Sequence, residues 1–400
     1  YCFFSVIDVT YYCILCRYKY DSFHIILTTS KNYKKRKEVE NDVLKIYRKV
    51  SPSHRNLIND KTKKQFFRQR INLMNTLGLP LTFFQNKKIL EIGGGTGEKA
   101  LFYAFYGADV TIMDPNENSC KIAKGIFTKS NLGKKLSIIN KSFFDVDLKI
   151  IKKFDMICVE GVIHHTFNPM KTLDLILSHM SNDQIILVAL GESHGMLKRE
   201  LQKEAVTKLA KNDPDLISDF VKKLFPDHLK RAIMFDLRNM ESVIQDNYVN
   251  PQDESSDLED ICNVFLKNKI SYLSSYPKLD FFYITSPWSH KREDYFNYKF
   301  YRNYYKFLEK IWMTCGEENI SNLMKSFNIE NMIKQIDKDQ KKLLKLKQKI
   351  RKNTFTEHEL NILKKGYMGI GLHYFVGVKQ NNDEKKFIHK LKKYEKIEII

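Results

Sequence analysis

The sequence predicts an α/β fold in which helices cover both faces of a parallel β-sheet. Short apolar runs alternate with segments whose apolar residues recur at helical spacing, and the first strand meets the first helix in a cluster of glycines. Such strand–helix units form a doubly wound sheet through right-handed crossovers, with the ligand at the carboxyl ends of the strands. The alternation predicts strands at 87–93, 108–114, 136–142, 154–160 and 184–191, and helices at 97–106, 116–129 and 169–180.

The glycine cluster follows the apolar residues Ile89, Leu90 and Ile92 and reads Gly93-Gly94-Gly95-Thr96-Gly97. Closely spaced glycines let backbone N–H groups approach a ligand without interference from Cβ atoms. A dinucleotide fingerprint requires G-x-G-x-x-G, but Glu98 stands three residues beyond Gly95. The spacing therefore disfavours NAD or FAD as the ligand.

The next strand, 110–113, ends in Asp114, which Pro115 and Asn116 follow. A carboxylate about twenty residues after a glycine turn is well placed to accept hydrogen bonds from ribose hydroxyls. The glycine turn and the acidic strand end together predict a fold that binds a nucleoside.

The pattern acidic-x-Gly-x-Gly-x-Gly from Glu91 to Gly97, followed by Asp114, resembles motifs I and II of the class I S-adenosylmethionine-dependent methyltransferases. The segment 161–169, GVIHHTFNP, resembles the GVLHH…P run of methyltransferases of types 11 and 12. The resemblance covers residues 87–191. It implies a seven-stranded, mostly parallel sheet in which the last strand runs antiparallel between the fifth and the sixth.

The resemblance also implies S-adenosyl-L-methionine as the cofactor. The glycines would meet its methionine part, Glu91 would orient its amino group, and Asp114 would bind the ribose. Ser142, with the Phe143 backbone, occupies the adenine position by spacing, whereas Asp145 lies three residues late. The expected cofactor-binding residues are Glu91, Gly93, Gly94, Gly95, Thr96, Gly97, Asp114, Pro115, Asn116, Ser142, Phe143, Glu160 and Gly161.

His164 and His165 follow the fourth strand at the expected reaction face, and they are the candidate catalytic residues. One imidazole could act as a general base. The alternative is that one histidine packs or caps while the other lines the pocket without proton transfer. Because no third ligand stands at helical spacing, we expect no metal site.

Residues 193–269 are expected to form a helical insertion that covers the substrate, with breaks at Pro214 and Pro226 and a loop at 246–251. Arginines there could clamp a carboxylate or phosphate, although ordinary helix-surface charges are the simpler explanation for each of them. The candidate substrate-binding residues are His228, Arg231, Arg238 and Tyr248.

The rest of the chain divides into an N-terminal extension (1–35), N-terminal helices (36–80), a cofactor-binding core (81–192), a return strand and loop (270–292), a second helical insertion (293–365), and the last strand with a basic tail (366–400). The second insertion ends in a Lys-rich stretch, 334–352, where Ile336, Leu343, Leu344, Leu346 and Ile350 lie near one face. Thr356 and Glu359 predict a capping box before a short helix that stops at Gly366.

The composition limits the partners and the compartment. The net charge of +20 would suit RNA, but lysine-rich solvated surfaces explain it as well. Seven scattered cysteines disfavour a disulfide framework, and Cys13 and Cys16 have no second pair at zinc spacing. No apolar run predicts a membrane span, and residues 1–30 do not resemble a signal peptide.

The sequence thus predicts a cytoplasmic methyltransferase that acts on a small molecule, with its oligomeric state left open. Two alternatives remain. One is an RNA (tRNA) methyltransferase, and the other is a methyltransferase-like interaction module that binds the cofactor without catalysis.

Overall fold

The computed structural model of the protein describes residues 30–51, 54–57, 59–277, 329–364 and 371–380. Within these ranges, seven strands form one sheet of order β3-β2-β1-β4-β5-β7-β6. The strands are β1 Lys88–Ile92, β2 Asp109–Met113, β3 Leu136–Ile139, β4 Met156–Glu160, β5 Ile185–Gly191, β6 Ile270–Tyr276 and β7 Leu372–Lys379. Strand β7 runs antiparallel to β5 and β6, and the other pairs are parallel. The predicted fold class and strand order are confirmed.

The central strands are apolar along their length because both faces of the sheet are covered. Leu90 and Ile92 of β1 pack into a core on one face, while Ile89, on the opposite face, joins a second core. Alternation of side chains along a strand explains this division. The strands are therefore held between two apolar layers, which fixes where their carboxyl ends lie.

Helices cover both faces and continue into the insertions. Their bounds are α1 Ser30–Lys49, α2 Asp60–Thr76, α3 Glu98–Phe105, α4 Glu117–Lys129, α5 Pro169–Ser178, α6 Ser193–Leu209, α7 Pro214–Leu224, α8 Pro226–Asp236, α9 Met240–Ile244, α10 Leu258–Lys267, α11 Ile329–Arg351 and α12 Asn361–Lys364. Pro214 and Pro226, expected as breaks, begin α7 and α8, since the first turn of a helix tolerates proline.

The two insertions share a third apolar core, which the described part of the Lys-rich helix α11 completes. Leu343, Leu346 and Ile350 of α11 are buried there against α6 and α7. Leu344, expected on the same face, is 51% exposed because it lies outside the i, i+3, i+7 stripe. The two insertions thus form one layer beside the sheet.

One predicted loop is helical in the structure. Gln245–Val249 forms a π-helical turn, in which the Asn250 amide donates to the Gln245 carbonyl at 2.8 Å. Asp, Asn and Pro residues made 246–251 resemble a loop. Bonds from Arg238 and Tyr47 to Asp246 instead hold the segment as a continuation of α9. The prediction was wrong for 246–249 because the residue types favour a loop, and the bond from Tyr47 comes from a residue 199 positions away.

The predicted capping box is confirmed, whereas several other predicted features lie outside the described residues. Thr356 and Glu359 exchange backbone–side-chain hydrogen bonds, as a capping box requires. Cys13, Cys16, residues 293–328, Gly366 and the terminal lysines lie outside the described residues. Within the described part of the chain, no helix combines the length and the apolar character needed to cross a membrane.

Candidate functional site

A cavity of about 1120 Å³ lies at the carboxyl ends of β1, β2 and β4. Gly93, Asp114 and Gly161, each just after one of these strands, contribute to its lining, and α1, α2 and α8 supply other parts. This volume slightly exceeds the roughly 300–1,000 Å³ of typical ligand pockets. The cavity lies where a doubly wound sheet places its ligand.

The glycine turn needs its glycines. Gly93, Gly95 and Gly97 all have positive φ angles, of 66°, 54° and 82°. A Cβ atom on Gly93 would also lie 2.5 Å from Cγ2 of Val162, which follows β4. The turn can therefore bring the backbone of Gly93–Gly95 to the cavity only because side chains are absent.

Asp114 supports the glycine turn from β2. Its Oδ2 accepts from the Gly95 amide at 2.8 Å, and its Oδ1 accepts from the Asn116 amide at 2.8 Å. Burial raises the pKa of Asp114, and these two backbone bonds oppose the rise. A carboxylate has about four lone-pair sites, so two remain for hydroxyl groups of a ligand.

Glu91 lies beneath the glycine turn and is 1% exposed. Among the described residues, neither carboxylate oxygen has a hydrogen-bond partner, and Lys99 Nζ lies 3.7 Å from Oε1. Burial raises the pKa of Glu91 to about 7, although Lys99 opposes the rise. Unmet hydrogen-bonding capacity of this kind suits a cationic ligand group, reached directly or through water.

Glu160, at the end of β4, belongs to a buried network. Arg70 Nη1 and Nη2 donate to its two carboxylate oxygens at 2.6 and 3.0 Å, and the Tyr103 hydroxyl donates at 2.7 Å. Burial raises the pKa of Glu160, but Arg70 and Lys99 more than offset that and hold it at about 2. Its carboxylate is thus largely occupied by protein groups, while Lys99 binds its main-chain carbonyl at 2.6 Å.

Ser142 and Phe143 line the cavity, whereas Asp145 does not. Asp145 lies on the surface, where its carboxylate accepts from Lys37 at 2.5 Å. Ser142 caps a short 3₁₀ turn, and Phe143 stacks on Phe144 with ring centroids 3.9 Å apart. The structure therefore places Ser142, and not Asp145, on the lining.

The two histidines lie on a 3₁₀ turn after β4, and both line the cavity. His164 Nε2 lies 4.0 Å from Asp253 Oδ1, and His165 Nε2 lies 3.8 Å from Asp246 Oδ1. Burial, and then the neighbouring His165, lower the pKa of His164 to about 3. His164 is therefore a neutral imidazole at physiological pH.

His165 has two polar contacts at Nδ1 that favour opposite tautomers. Its Nδ1 lies 2.8 Å from the Gln252 carbonyl, which can only accept, and 3.0 Å from Asn250 Nδ2, which can only donate, so the shorter contact favours a proton on Nδ1 and the longer one opposes it. With the proton on Nδ1, Nε2 presents a lone pair beside Asp246. Arg238 and Tyr47 hold that carboxylate at 2.7 Å each. The arrangement suits proton acceptance at Nε2.

Asp253 adds a possible metal ligand that sequence spacing did not reveal. One ligand atom each from His164, His165 and Asp253 lies within 4.8 Å of the others. Arg199 binds Asp253 Oδ2 at 3.1 Å, and Oδ1 has no hydrogen-bond partner among the described residues. Ligands of a tetrahedral ion bound at about 2.1 Å lie roughly 3.4 Å apart, so these side chains would have to close around one.

The four candidate substrate-binding residues are in different environments. His228, Arg231 and Arg238 line the cavity, and the Arg231 guanidinium lies 5.6 Å from the ring centroid of Phe235. Arg238 pairs with Asp246 at 2.7 Å and with Asp236 at 3.0 Å. Tyr248 is 1% exposed and lies behind His228, so it does not reach the lining.

Most predicted site residues thus lie around one cavity. The exceptions lie just behind the lining: Glu91, Thr96, Gly97 and Tyr248. Arg70, Asp246 and Asp253 were not among the predicted site residues. Only Asp246 had a local signal, a segment rich in His, Arg, Asp and Tyr between residues 224 and 248.

Comparison with known proteins agrees with this geometry. Residues 64–231 match a family model described as "Methyltransferase domain". This range runs from α2 to α8 and includes the glycine turn, Asp114 and both histidines. A search of curated protein sequences gave no significant match.

Several solved structures resemble the chain. One is PKMT2 from Rickettsia typhi in complex with AdoHcy, which is 13% identical to this chain and has a TM-score of 0.40. The alignment covers 78% of this chain and 52% of PKMT2. Another is magnesium protoporphyrin IX methyltransferase from Synechocystis PCC 6803 with bound SAM, which is 10% identical and has a TM-score of 0.33. The alignment covers 56% of this chain and 77% of that protein. The alignment spans about half of the Rickettsia protein.

Proposed function

We propose that this chain, a class I S-adenosylmethionine-dependent methyltransferase, methylates a small molecule bound in the cavity, with His165 as the general base. One observation carries the proposal. The glycine turn and the His164–His165 turn open into the same cavity, so cofactor and acceptor can meet there. The acceptor atom would be an oxygen, a nitrogen or an activated carbon.

The residues at the glycine end fit the cofactor. When bound, S-adenosylmethionine supplies an electrophilic methyl group on a sulfonium. Asp114 would accept from the ribose hydroxyls with its two remaining lone-pair sites. Glu91, whose oxygens have no hydrogen-bond partner among the described residues, would orient the amino group. Ser142 and Phe143 would meet the adenine.

His165 would take the proton of the acceptor. With Nδ1 donating to the Gln252 carbonyl, the shorter of its two contacts, the Nε2 lone pair would be available for a substrate O–H or N–H. The imidazolium that forms would be stabilised by the Asp246 carboxylate, 3.8 Å from Nε2. The deprotonated acceptor atom would then form its bond to the methyl carbon as the carbon–sulfur bond breaks.

His164 would have a different role from His165. Burial keeps its imidazole neutral and makes its protonated form costly, so it is a poor proton acceptor. Its position beside His165, with ring centroids 4.0 Å apart, suits a residue that lines the pocket and orients its neighbour. The proposal therefore divides the two predicted catalytic residues into a base and a lining residue.

The surroundings of the cavity favour a small molecule over RNA. Residues of α1, α2 and α8 line it opposite the strand ends, for instance Tyr47, Gln69 and Phe235. The Lys-rich stretch 334–352 contributes no residue to the lining. The lining does contain arginines, but Arg70, Arg199 and Arg238 pair there with the carboxylates of Glu160, Asp253 and Asp246, which reduces their attraction for a polyanion.

Labelled methyl transfer would test the proposal. The protein is incubated with radiolabelled S-adenosylmethionine and, separately, with the small-molecule filtrate, the RNA and the protein of a cell extract. We expect label in the small-molecule fraction, and a loss of about 10²- to 10⁴-fold in turnover for His165→Gln. Calorimetry with S-adenosylhomocysteine should show little change in cofactor affinity for the same variant.

His358→Gln, which removes an exposed histidine, is the control and should keep full activity. Label in RNA or protein alone would contradict the small-molecule acceptor, and full activity of His165→Gln would contradict the base. Turnover should also survive a metal chelator. If activity were lost and a divalent cation restored it, the His164–His165–Asp253 group would bind a metal instead.

A further inference from the structure

We infer that His228 recognises the acceptor, with its Nε2 accepting a hydrogen bond from a hydroxyl or amine group of the small molecule. The inference rests on the proposed function, since it concerns specificity in the same cavity. His228 lies on α8 and lines the cavity. A series of buried hydrogen bonds behind it fixes which ring nitrogen carries the proton.

The series begins at a main-chain carbonyl of the second insertion. Gln202, on α6, is fully buried, and its Nε2 donates to the Leu363 carbonyl at 2.9 Å. A carbonyl can only accept, so the amide of Gln202 must present nitrogen there and oxygen on its other side. The orientation of the Gln202 amide therefore fixes which atom donates in the next two hydrogen bonds, those of Tyr248 and His228.

Tyr248 connects Gln202 to His228 and determines which His228 nitrogen donates. Its hydroxyl donates to Gln202 Oε1 at 2.7 Å, which uses its single proton. The contact between Tyr248 and Nδ1 of His228 can then be a hydrogen bond only if Nδ1 donates. In the neutral ring, Nδ1 therefore carries the proton and Nε2 carries the lone pair.

The surroundings of His228 keep that ring neutral. Burial, and then Arg199, lower its pKa to about 4, although Asp236 opposes them. Nε2 has no hydrogen-bond partner among the described residues, and the ring borders the cavity. An acceptor site of fixed polarity thus faces the space where the substrate would bind.

The hydrogen-bond series joins four separate elements, which are α6, the π-helical turn, α12 and α8. Burying Gln202 and the Tyr248 hydroxyl is costly unless each polar atom is paired. A purely stabilising network needs no open nitrogen at its end. This one ends in a lone pair at the cavity, as a specificity determinant requires.

The tautomer can be measured without any acceptor. In protein labelled with ¹⁵N-histidine, the imidazole nitrogen shifts distinguish the two neutral forms, and the missing signal in His228→Asn assigns this one among 11 histidines. We expect the Nδ1–H form in the wild type and a shift towards Nε2–H in Tyr248→Phe. Tyr272→Phe, a buried tyrosine of β6 away from the cavity, should change nothing. An Nε2–H ring in the wild type would overturn the inference.

Kinetics with the acceptor isolated from the labelled fraction tests recognition. His228→Leu should raise the KM for the acceptor roughly 3- to 10-fold with little change in kcat, the scale of one neutral hydrogen bond. His228→Gln, whose side-chain oxygen can accept near the Nε2 position, should recover most of the loss. An unchanged KM in His228→Leu would overturn recognition by His228 without affecting the proposed function, whose tests are the label in the small-molecule fraction and the activity of His165→Gln.

Discussion

At the scale of single residues, Asp114 links the fold to the chemistry. Two of its lone-pair sites accept from the amides of Gly95 and Asn116, and the residue lines the cavity. The same carboxylate therefore shapes the glycine turn and offers a binding site for hydroxyl groups. Loss of this side chain should weaken cofactor binding more than it destabilises the apolar core.

Asp114→Ala should weaken S-adenosylhomocysteine binding by about 1–3 kcal/mol, the scale of lost hydrogen bonds to a charged group. Isothermal titration calorimetry would measure the affinity, and circular dichroism would show that the variant is folded. Asp109→Ala, at the exposed start of the same strand, is the matched control and should bind as the wild type does. Unchanged affinity in a folded Asp114→Ala protein would contradict the ribose assignment.

At the scale of elements, a buried ion pair joins helix α2 to strand β4. Arg70 of α2 forms two hydrogen bonds with Glu160 of β4, and Tyr103 of α3 adds a third bond to the same carboxylate. All three side chains are buried. The pair thus connects a wall of the cavity to the strand that leads into the histidine turn.

Arg70→Met should destabilise the protein by about 3–5 kcal/mol, because Glu160 would remain buried without its cation. Urea denaturation would measure the loss, and the double variant Arg70→Met/Glu160→Gln should recover part of it. Arg68→Met, an exposed arginine of the same helix, should change stability by no more than about 0.5 kcal/mol. A small loss in Arg70→Met would mean that solvent replaces the ion pair at little cost.

At the scale of the whole molecule, three histidines in different places couple folding to pH: His164 and His373 are buried, and His228 is partly buried. Burial lowers the pKa of His164 and His373 to about 3 and that of His228 to about 4, from a usual 6.5. Below pH 6.5 these histidines become protonated in the unfolded chain but stay neutral in the folded chain until the pH falls to their lowered pKa values. The free energy of unfolding should therefore fall as the pH drops from 6.5 towards 3, by up to about 1.4 kcal/mol per pH unit for each histidine.

His373→Leu should make the pH dependence of stability shallower between pH 6.5 and 3. The residue lies in β7 outside the cavity lining, and its neighbour Ser256 keeps a hydrogen bond to the Gly191 carbonyl at 3.2 Å. Denaturant midpoints measured across this range, compared with those of His358→Leu, would give the difference in slope. Equal slopes in the two variants would show that His373 binds its proton in the folded state.

The sequence by itself determined the fold and the position of the glycine turn. Strand and helix positions are encoded by periodicity over a few residues, and the predicted ends lie within a few residues of the observed ones in the core. The glycine turn was equally visible, because positive φ angles and a 2.5 Å approach to Val162 demand glycine at Gly93. Asp114 followed from its place at a strand end.

Only the tertiary structure decided what surrounds the histidines and which substrate candidates reach the cavity. Arg70 and Glu160 are 90 residues apart, Gln202 and Leu363 161, and Tyr47 and Asp246 199. Such pairs leave no periodic or local signal, because tertiary packing brings together side chains that lie far apart in the sequence. Within the first insertion, packing of the helices buries Tyr248 behind His228 and pairs Arg238 with Asp246, since a buried polar group must find its partner wherever the fold places one.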